Sequence, residues 1–429
     1  MYRCSAILTV VLGLAMPMAQ AGQLVTAPSI AGGAQSRSVS ADRLHSLDRY
    51  MQAVTGPTGY LGAVTLVMRD GKLVQHRAYG HRDLARRQPM AEDAIFRIYS
   101  MSKTVTSVAV LMLLEEGRIG LDDPVSRYLP EFSTMQVVQD ESVGPPVRQP
   151  AADPITIHQL LTHTAGFPAG LPGDERASTE VQRLNPHGAA DLAGFVQRLS
   201  RTPLAADPGT RFGYDGAATE LLARLVEVVA GVPFADYLHQ RLFDPLKMVD
   251  TGFYVPRPQR NRVVDITTMG PHGRLVLADG PSAKHPGEPL NPYTSGAGGL
   301  YSTAADYARF CQMLLNGGSL DGVSILGHKT VELMMLNHLS QLDPPVTQFS
   351  QAEGFGLGGY VVIDPARRGQ LGSPGQFGWA GAASTSYTID RREGLVAIVL
   401  LQHLPNDRAD DLPRISRHFY NLVYQALEP

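Results

Sequence analysis

The sequence predicts an α/β (α+β) fold: a central antiparallel sheet flanked by helices, with a mainly helical lobe, roughly residues 104–290, inserted between the two parts of the sheet. Strand-like segments gather towards both ends of the chain, and helical segments dominate its middle. The chain also has no repeated strand–helix–strand rhythm, which disfavours a doubly wound parallel sheet.

The first part of the chain carries three clear patterns. Residues 42–54 have apolar side chains at helical spacing, which predicts an amphipathic helix. Residues 62–79 are rich in strand-forming residues on either side of Asp70-Gly71, a dipeptide typical of a tight hairpin turn. Residues 104–116 are apolar almost all round, and a helix without a polar face is a buried one.

Later segments alternate between helix and strand signals. The middle of the chain is rich in Pro and Gly and includes a helix ending near Gly231. The C-terminal part returns to the strand pattern and closes with a helix. The predicted segments are a helix over 215–229, strands over 360–363, 384–389 and 395–401, and a helix from about 410 to 427.

The N-terminus has the pattern of a cleaved secretory signal. Arg3 precedes an apolar run over residues 5–18, and Ala19-Gln20-Ala21 supplies the small residues that signal peptidase accepts. The run is short for a membrane span, so we expect an exported protein, periplasmic or secreted, with no span in its mature form. The predicted organisation is a signal peptide over 1–21, a flexible leader over 22–40 and a catalytic domain over 41–429.

The net charge and the cysteine content indicate which partners and which covalent links to expect. A formal net charge of −3 gives no reason to expect a nucleic-acid partner. Cys4 would leave with the signal, so the mature chain would keep Cys311 alone and have no internal disulfide. Cys311 lies in a helical pattern over 304–315, which predicts a buried, unreactive thiol.

Ser100 and Lys103 stand three residues apart at the start of the apolar helix, so they share a face. A serine hydroxyl becomes a strong nucleophile when a neighbouring base removes its proton, and a lysine can be that base when burial lowers its pKa. The spacing by itself is weak, because a lysine near a helix start can equally extend its ammonium group to water.

The sequence around this pair resembles the nucleophile region of the serine β-lactamase and D,D-peptidase superfamily, in particular class C β-lactamases and family VIII carboxylesterases. The resemblance begins with FRIYSMSKTVTSVAVLMLLEEGRIGLDDPVSRYLPEF and continues in order to the C-terminus. The further segments are ITIHQLLTHTAGFP, PGTRFGYDGAATELLARLVEVVAG, LFDPLKMVDTGF, GGLYSTAADYARFCQMLLNGG and FGWAGAASTSYTID.

The resemblance implies roles for individual residues. Ser100 would be the nucleophile and Lys103 its partner, and Tyr214 matches the tyrosine of the family's Y-x-N motif, which passes a proton to the leaving group. Without the family, Tyr214 would be an aromatic residue packed ahead of a helix.

A second implied element is the strand that borders the site. Trp379-Ala380-Gly381 falls where lactamases carry K-T-G, and Gly381 is expected to leave room for substrate. The backbone amides of Ser100 and Ala382 would form the oxyanion hole.

Two departures from the family pattern bear on the substrate. Gly216 stands where Y-x-N has its asparagine, and Trp379 replaces the lysine of K-T-G. Lactamases use that lysine to help bind a substrate carboxylate, so a tryptophan removes a cation and adds an apolar wall. The effect of Ala380, where family VIII esterases often have glycine, stays open.

The resulting hypothesis is a serine carboxylesterase that cleaves short-chain esters through an acyl-enzyme on Ser100, with an ester or lactam as its small-molecule partner. Alternatives on the same fold are a β-lactamase, a D-amino-acid peptidase or amidase, and an acyltransferase; a protein that binds antibiotics or peptidoglycan-like ligands without turnover is a further one. The chain lacks G-x-S-x-G, H-E-x-x-H and G-x-x-x-x-G-K-[ST], so we expect no cofactor and no catalytic metal. His163 is expected to make a structural hydrogen bond, and the sequence leaves the oligomeric state open.

Overall fold

The computed structural model describes residues 38–139, 147–406 and 408–429. The predicted signal peptide and most of the predicted leader lie outside these residues. Of the leader only residues 38–40 are described: Val39 pairs with Leu427, and the Ser40 side chain caps the first helix.

The described strands and helices follow the predicted order. The strands are β1 (Gly62–Arg69), β2 (Lys72–Gly80), β3 (Phe96–Arg97), β4 (Gln136–Gln139), β5 (Val147–Pro150), β6 (Thr267–Met269), β7 (Leu275–Leu277), β8 (Tyr301–Ser302), β9 (Ser319–Leu320), β10 (Val323–Ser324), β11 (Glu353–Phe355), β12 (Tyr360–Val362), β13 (Phe377–Ala380), β14 (Ser386–Asp390) and β15 (Leu395–Leu400). The helices are α1 (Ala41–Val54), α2 (Ser102–Glu115), α3 (Ile157–Leu161), α4 (Glu175–Leu184), α5 (Leu192–Leu199), α6 (Ala217–Ala230), α7 (Phe234–Leu238), α8 (Pro281–Lys284), α9 (Ala304–Leu315), α10 (His328–Met334), α11 (Pro365–Arg368) and α12 (Ser416–Tyr424).

A seven-stranded antiparallel sheet joins the two ends of the described chain. Its strand order is β11-β12-β13-β14-β15-β1-β2, so the N-terminal hairpin pairs with the last strand. The helices α2 to α10 come between the two groups of strands in the sequence. The predicted fold class is therefore confirmed.

Alternation along the central strands directs side chains to two separate cores. On β15, Val396, Ile398 and Leu400 join the large core shared with α2, α6 and α9. The intervening residues face α1 and α12 in a second core, where Leu395 and Ala397 are fully buried. Because successive strand residues point to opposite faces, a strand that is apolar throughout needs helices on both sides.

Helix α2 is the most deeply buried helix of the site region. All twelve residues from Ser102 to Leu113 are buried, in agreement with the buried helix predicted over residues 104–116. Thr104 compensates for its polarity by donating its hydroxyl to the Gly358 carbonyl at 2.7 Å. Cys311 in α9 is also fully buried, in agreement with the prediction. None of the helices in the described ranges is both long and apolar enough to cross a membrane.

The C-terminal helix is shorter than predicted. It begins at Ser416 rather than near residue 410. The Asp411 carboxylate accepts hydrogen bonds from the backbone amides of Asn406 and Leu412 and lies 2.8 Å from His403 Nε2. These contacts hold the preceding residues in a turn, which a pattern of apolar spacing does not reveal.

Truncating a side chain in the middle of α2 is expected to destabilise the fold. Leu111 has no exposed surface, so Leu111→Ala should lower the free energy of unfolding by about 2–5 kcal/mol. Denaturant unfolding followed by circular dichroism measures this change. The control Leu73→Ala removes the same atoms from a side chain that is 60% exposed and should change stability by less than about 0.5 kcal/mol. Equal losses in both variants would contradict the burial of α2.

Candidate active site

Ser100 lies in a single turn of 3-10 helix, Tyr99–Met101, that leads directly into α2. The turn follows β3, and the amide of Ile98 donates to the carbonyl of Leu300 at 3.0 Å. Tyr99 has a φ of 45°, a left-handed conformation that is rare for a bulky residue. The backbone is therefore strained at the residue before the candidate nucleophile, where such strain is often found.

Lys103 is held in the first turn of α2 with its ammonium group aimed at Ser100. The Nζ atom lies 3.3 Å from Ser100 Oγ and donates to the carbonyl oxygen of Ala297 at 2.8 Å. It also lies 5.1 Å from the centre of the Tyr214 ring. The structure thus brings together Ser100, Lys103 and Tyr214, three residues that the sequence singles out.

Tyr214 is in turn bonded to Trp379 on β13. The indole Nε1–H of Trp379 donates to the Tyr214 hydroxyl at 3.0 Å, and the two ring centres are 5.0 Å apart. This hydrogen bond occupies one acceptor site of the hydroxyl oxygen and fixes where that oxygen lies. Trp379, expected only as an apolar wall, therefore also positions the candidate proton carrier.

Gly381 has a structural role at the end of β13, and its role in leaving room for substrate stays a prediction. A Cβ at this position would collide with the carbonyl oxygen of Ile98 and the hydroxyl of Thr385. The glycine thus lets the end of β13 pack closely against the segment that leads to Ser100. Ala382 follows on the exposed side, and the role of its amide in an oxyanion hole stays a prediction.

A buried His163–Asp215 pair packs against the ring of Tyr214. His163 Nδ1 lies 3.2 Å from Asp215 Oδ2, and the imidazole centre is 4.7 Å from that of Tyr214. Burial lowers the pKa of His163, the Asp215 carboxylate raises it, and the charge of Lys103 lowers it again. The His163 carbonyl also accepts the Gly213 amide at 2.9 Å, so the residue has the structural role expected from the sequence.

Glu220 is the residue that sequence reasoning missed. Its carboxylate on α6 is fully buried and accepts the Ser295 hydroxyl at 2.5 Å and the Gly296 amide at 2.9 Å. These bonds hold the segment whose next carbonyl, that of Ala297, accepts from Lys103. An acidic residue among leucines, in a helix with a wide apolar face, was the available signal.

The pKa of Glu220 is raised from its ordinary 4.5 to about 7. Burial causes this shift, and the Ser295 hydroxyl, the charge of Lys103 and the nearby backbone amides oppose it. Burial raises the pKa of the neighbouring Tyr293, and the Glu220 carboxyl raises it further. A buried acid with such a pKa titrates close to neutral pH.

Gly216 has space for a side chain: a Cβ there would make only an ordinary contact, 3.9 Å from that of Ala297. No group of three or more His, Cys, Asp or Glu side chains is arranged to bind a metal ion within the described ranges.

Several known proteins are similar to this chain in sequence or fold over most of their own length. The Beta-lactamase family model matches residues 47–419. Protein Rv1367c of Mycobacterium tuberculosis is 36% identical over 360 residues, covering 81% of this chain and 87% of that protein. Esterase EstB of Burkholderia gladioli is 30% identical over 361 residues, covering 79% and 85%.

A solved structure agrees with the fold. That of EstCE1, described as a hydrolase with promiscuous acyltransferase activity, superposes with a TM-score of 0.70 at 24% identity, over 90% of this chain and 98% of that one. The chain therefore belongs to the Beta-lactamase family. The predicted resemblance to the serine β-lactamase and D,D-peptidase superfamily is confirmed, and esterases are among the relatives.

Replacing the buried carboxyl of Glu220 should change how stability depends on pH. The raised folded-state pKa means that the carboxyl stabilises the fold fully below pH 4.5, and that this contribution is lost as the pH rises through about 7. As the pH rises from about 5 to 8, the unfolding free energy of Glu220→Gln minus that of the wild type should increase by about 2–3 kcal/mol. Urea unfolding of both proteins across this range measures the difference.

The comparison between the two proteins cancels the titration of the histidines, which they share. Glu227→Gln, on the same helix but partly exposed, is the matched control and should follow the wild-type curve more closely. Parallel wild-type and Glu220→Gln curves would show that Glu220 does not titrate in this range.

Proposed function

We propose that this protein is a serine carboxylesterase that cleaves neutral, short-chain carboxylic esters through an acyl-enzyme on Ser100. The observation that carries the proposal is the hydrogen-bonded arrangement around Tyr214. Lys103 Nζ lies 3.3 Å from Ser100 Oγ and 5.1 Å from the Tyr214 ring, and the indole of Trp379 donates to the Tyr214 hydroxyl. A nucleophile, a cation and a proton carrier thus lie together at one place.

The chemistry follows from this arrangement. Tyr214, deprotonated beside the ammonium group of Lys103, accepts the Ser100 proton while Oγ bonds to the ester carbonyl carbon, and the amides of Ser100 and Ala382 bind the oxyanion that forms. Tyr214 then returns the proton to the alcohol oxygen as the carbon–oxygen bond breaks. Water attacks the remaining acyl-enzyme and loses a proton to the same base, which releases the acid and restores Ser100.

The substrate class is argued from the wall of the site. Trp379 is 8% exposed and packs against aromatic rings, where K-T-G lactamases have a lysine. An indole offers no cation for a carboxylate, so it favours uncharged substrates over β-lactams and D-amino-acid peptides. The similarity to an esterase, EstB, supports the same choice.

Acyl transfer is the second candidate. The structural neighbour EstCE1 is described as a hydrolase with promiscuous acyltransferase activity. An alcohol that replaced water in the second step would use the same residues. Formation of a new ester from p-nitrophenyl butyrate in the presence of an added alcohol, detected by gas chromatography, would identify this activity.

Removing the nucleophile tests the proposal. Ser100→Ala should lower kcat for p-nitrophenyl acetate and butyrate by about three orders of magnitude or more. Ser102→Ala is the matched control: the Ser102 hydroxyl accepts the Leu300 amide and should be dispensable for the chemistry. The wild type should hydrolyse nitrocefin far more slowly than the esters. Ester turnover that survives in Ser100→Ala, with normal folding, would refute the assignment.

Export is a separate part of the proposal. The apolar run over residues 5–18 and the Ala19-Gln20-Ala21 sequence support cleavage after residue 21. Expression of the full chain in a bacterial host should give a periplasmic or secreted protein that begins at Gly22. N-terminal sequencing of each cell fraction is the measurement, and an intact Met1 found only in the cytoplasm would argue against export.

A further inference from the structure

We propose that Phe349, together with Trp379, forms the surface that binds the alcohol portion of the ester, and that this surface selects flat, apolar alcohols such as aryl groups. The inference rests on the proposed esterase function and names the part of the substrate that the site distinguishes.

Phe349 is an exposed aromatic residue beside the candidate proton carrier. Its side chain is 58% exposed, although the ring contacts two aromatic residues of the site. The ring centres of Tyr214 and Trp379 lie 5.7 Å and 6.2 Å away, and both contacts are edge-on. The face of the ring that these neighbours leave uncovered is therefore available to a ligand.

The segment that carries Phe349 is anchored to the site. The Gln348 side chain accepts the backbone amide of Tyr214 at 2.9 Å. The Thr347 amide donates to the Glu353 carbonyl at 2.9 Å, and Asn337 Nδ2 donates to the Pro345 carbonyl at 3.1 Å. Because the loop is tied on both sides of Phe349, a ligand would meet the ring with little loss of conformational freedom.

Trp379 forms the fixed part of the same surface. Its indole packs edge-on against Phe355 at 5.1 Å and at a tilt against Tyr360 at 6.4 Å between ring centres. The Nε1–H bond to Tyr214 prevents the indole from rotating away. A flat apolar group can stack on such an aromatic cluster, whereas a small alkyl group covers little of it.

The position of Tyr214 decides which end of the substrate meets these rings. The alcohol oxygen must lie at the Tyr214 hydroxyl to receive its proton. The group attached to that oxygen then starts next to Tyr214, the residue that both Phe349 and Trp379 contact. The acyl chain is a different substituent of the carbonyl carbon and points away from the leaving oxygen. The aromatic surface is therefore assigned to the alcohol.

The test compares two esters that share one acyl group. The wild type, Phe349→Ala and Phe349→Leu are assayed with 2-naphthyl butyrate and with ethyl butyrate. For each ester, kcat/KM of the variant is divided by kcat/KM of the wild type. This ratio removes the difference in reactivity between the two alcohols. Tyr254→Ala is the matched control, because Tyr254 is an equally exposed aromatic residue, at 61%, outside the site.

For Phe349→Ala, kcat/KM for 2-naphthyl butyrate should fall about 3- to 10-fold, and that for ethyl butyrate should stay within about 2-fold. For Phe349→Leu, kcat/KM for 2-naphthyl butyrate should lie between the values of the wild type and Phe349→Ala. Hydrolysis of the common butyryl-enzyme, measured in single-turnover experiments, should not change, because the alcohol has already left. Tyr254→Ala should match the wild type with both esters.

Three results would overturn the inference: equal losses with both esters, a changed rate of butyryl-enzyme hydrolysis, or no loss with either ester. Each can be read separately from the proposed function as long as the wild type hydrolyses the esters and Ser100→Ala does not. A wild type that hydrolyses neither ester would overturn both proposals together.

Discussion

The rest of the site depends on placing the ammonium group of Lys103 at the start of a helix that is buried on every side. Lys103 is 5% exposed, and an unpaired charge there would cost several kcal/mol. The Ala297 carbonyl, Ser100 Oγ and the face of the Tyr214 ring surround the Nζ atom. These contacts satisfy the charge and at the same time bring it to the hydroxyl that it would activate.

The groups that satisfy Lys103 are themselves held by buried polar residues. Glu220 binds the segment ending at Ala297, and the His163–Asp215 pair lies under Tyr214. Trp379, which bonds to Tyr214, lies on β13 of the large sheet, so the helical region and the sheet must be packed together before the site exists. Fully bonded networks of this kind restrict a site to one geometry, and a partly bonded one would be costly.

Membership of the Beta-lactamase family leaves the substrate to be decided by details of the site. Trp379 stands where the resemblance to lactamases places the lysine of K-T-G. Its indole bonds to Tyr214 and joins an aromatic group that includes Phe349 and Phe355, so this one residue contributes both an apolar shape and a hydrogen bond.

The sequence by itself determined the local elements and the nucleophile region. The hairpin around Asp70-Gly71, the buried helix after Ser100 and the order of strands follow from patterns that span fewer than about twenty residues, and such patterns act through neighbouring side chains. The beginning of the last helix was misjudged because a turn around Asp411 depends on hydrogen bonds that apolar spacing does not encode.

Only the tertiary structure decided which distant residues support the site. Glu220 lies 117 positions from Lys103, and Trp379 lies 165 positions from Tyr214, so no local pattern relates them. The need for a glycine at 381 likewise arises from the close approach of Ile98, nearly three hundred residues earlier in the chain. The contacts of Trp379 and Gly381 exist because the antiparallel sheet joins the two ends of the described chain, and the fit between them is a property of the folded chain.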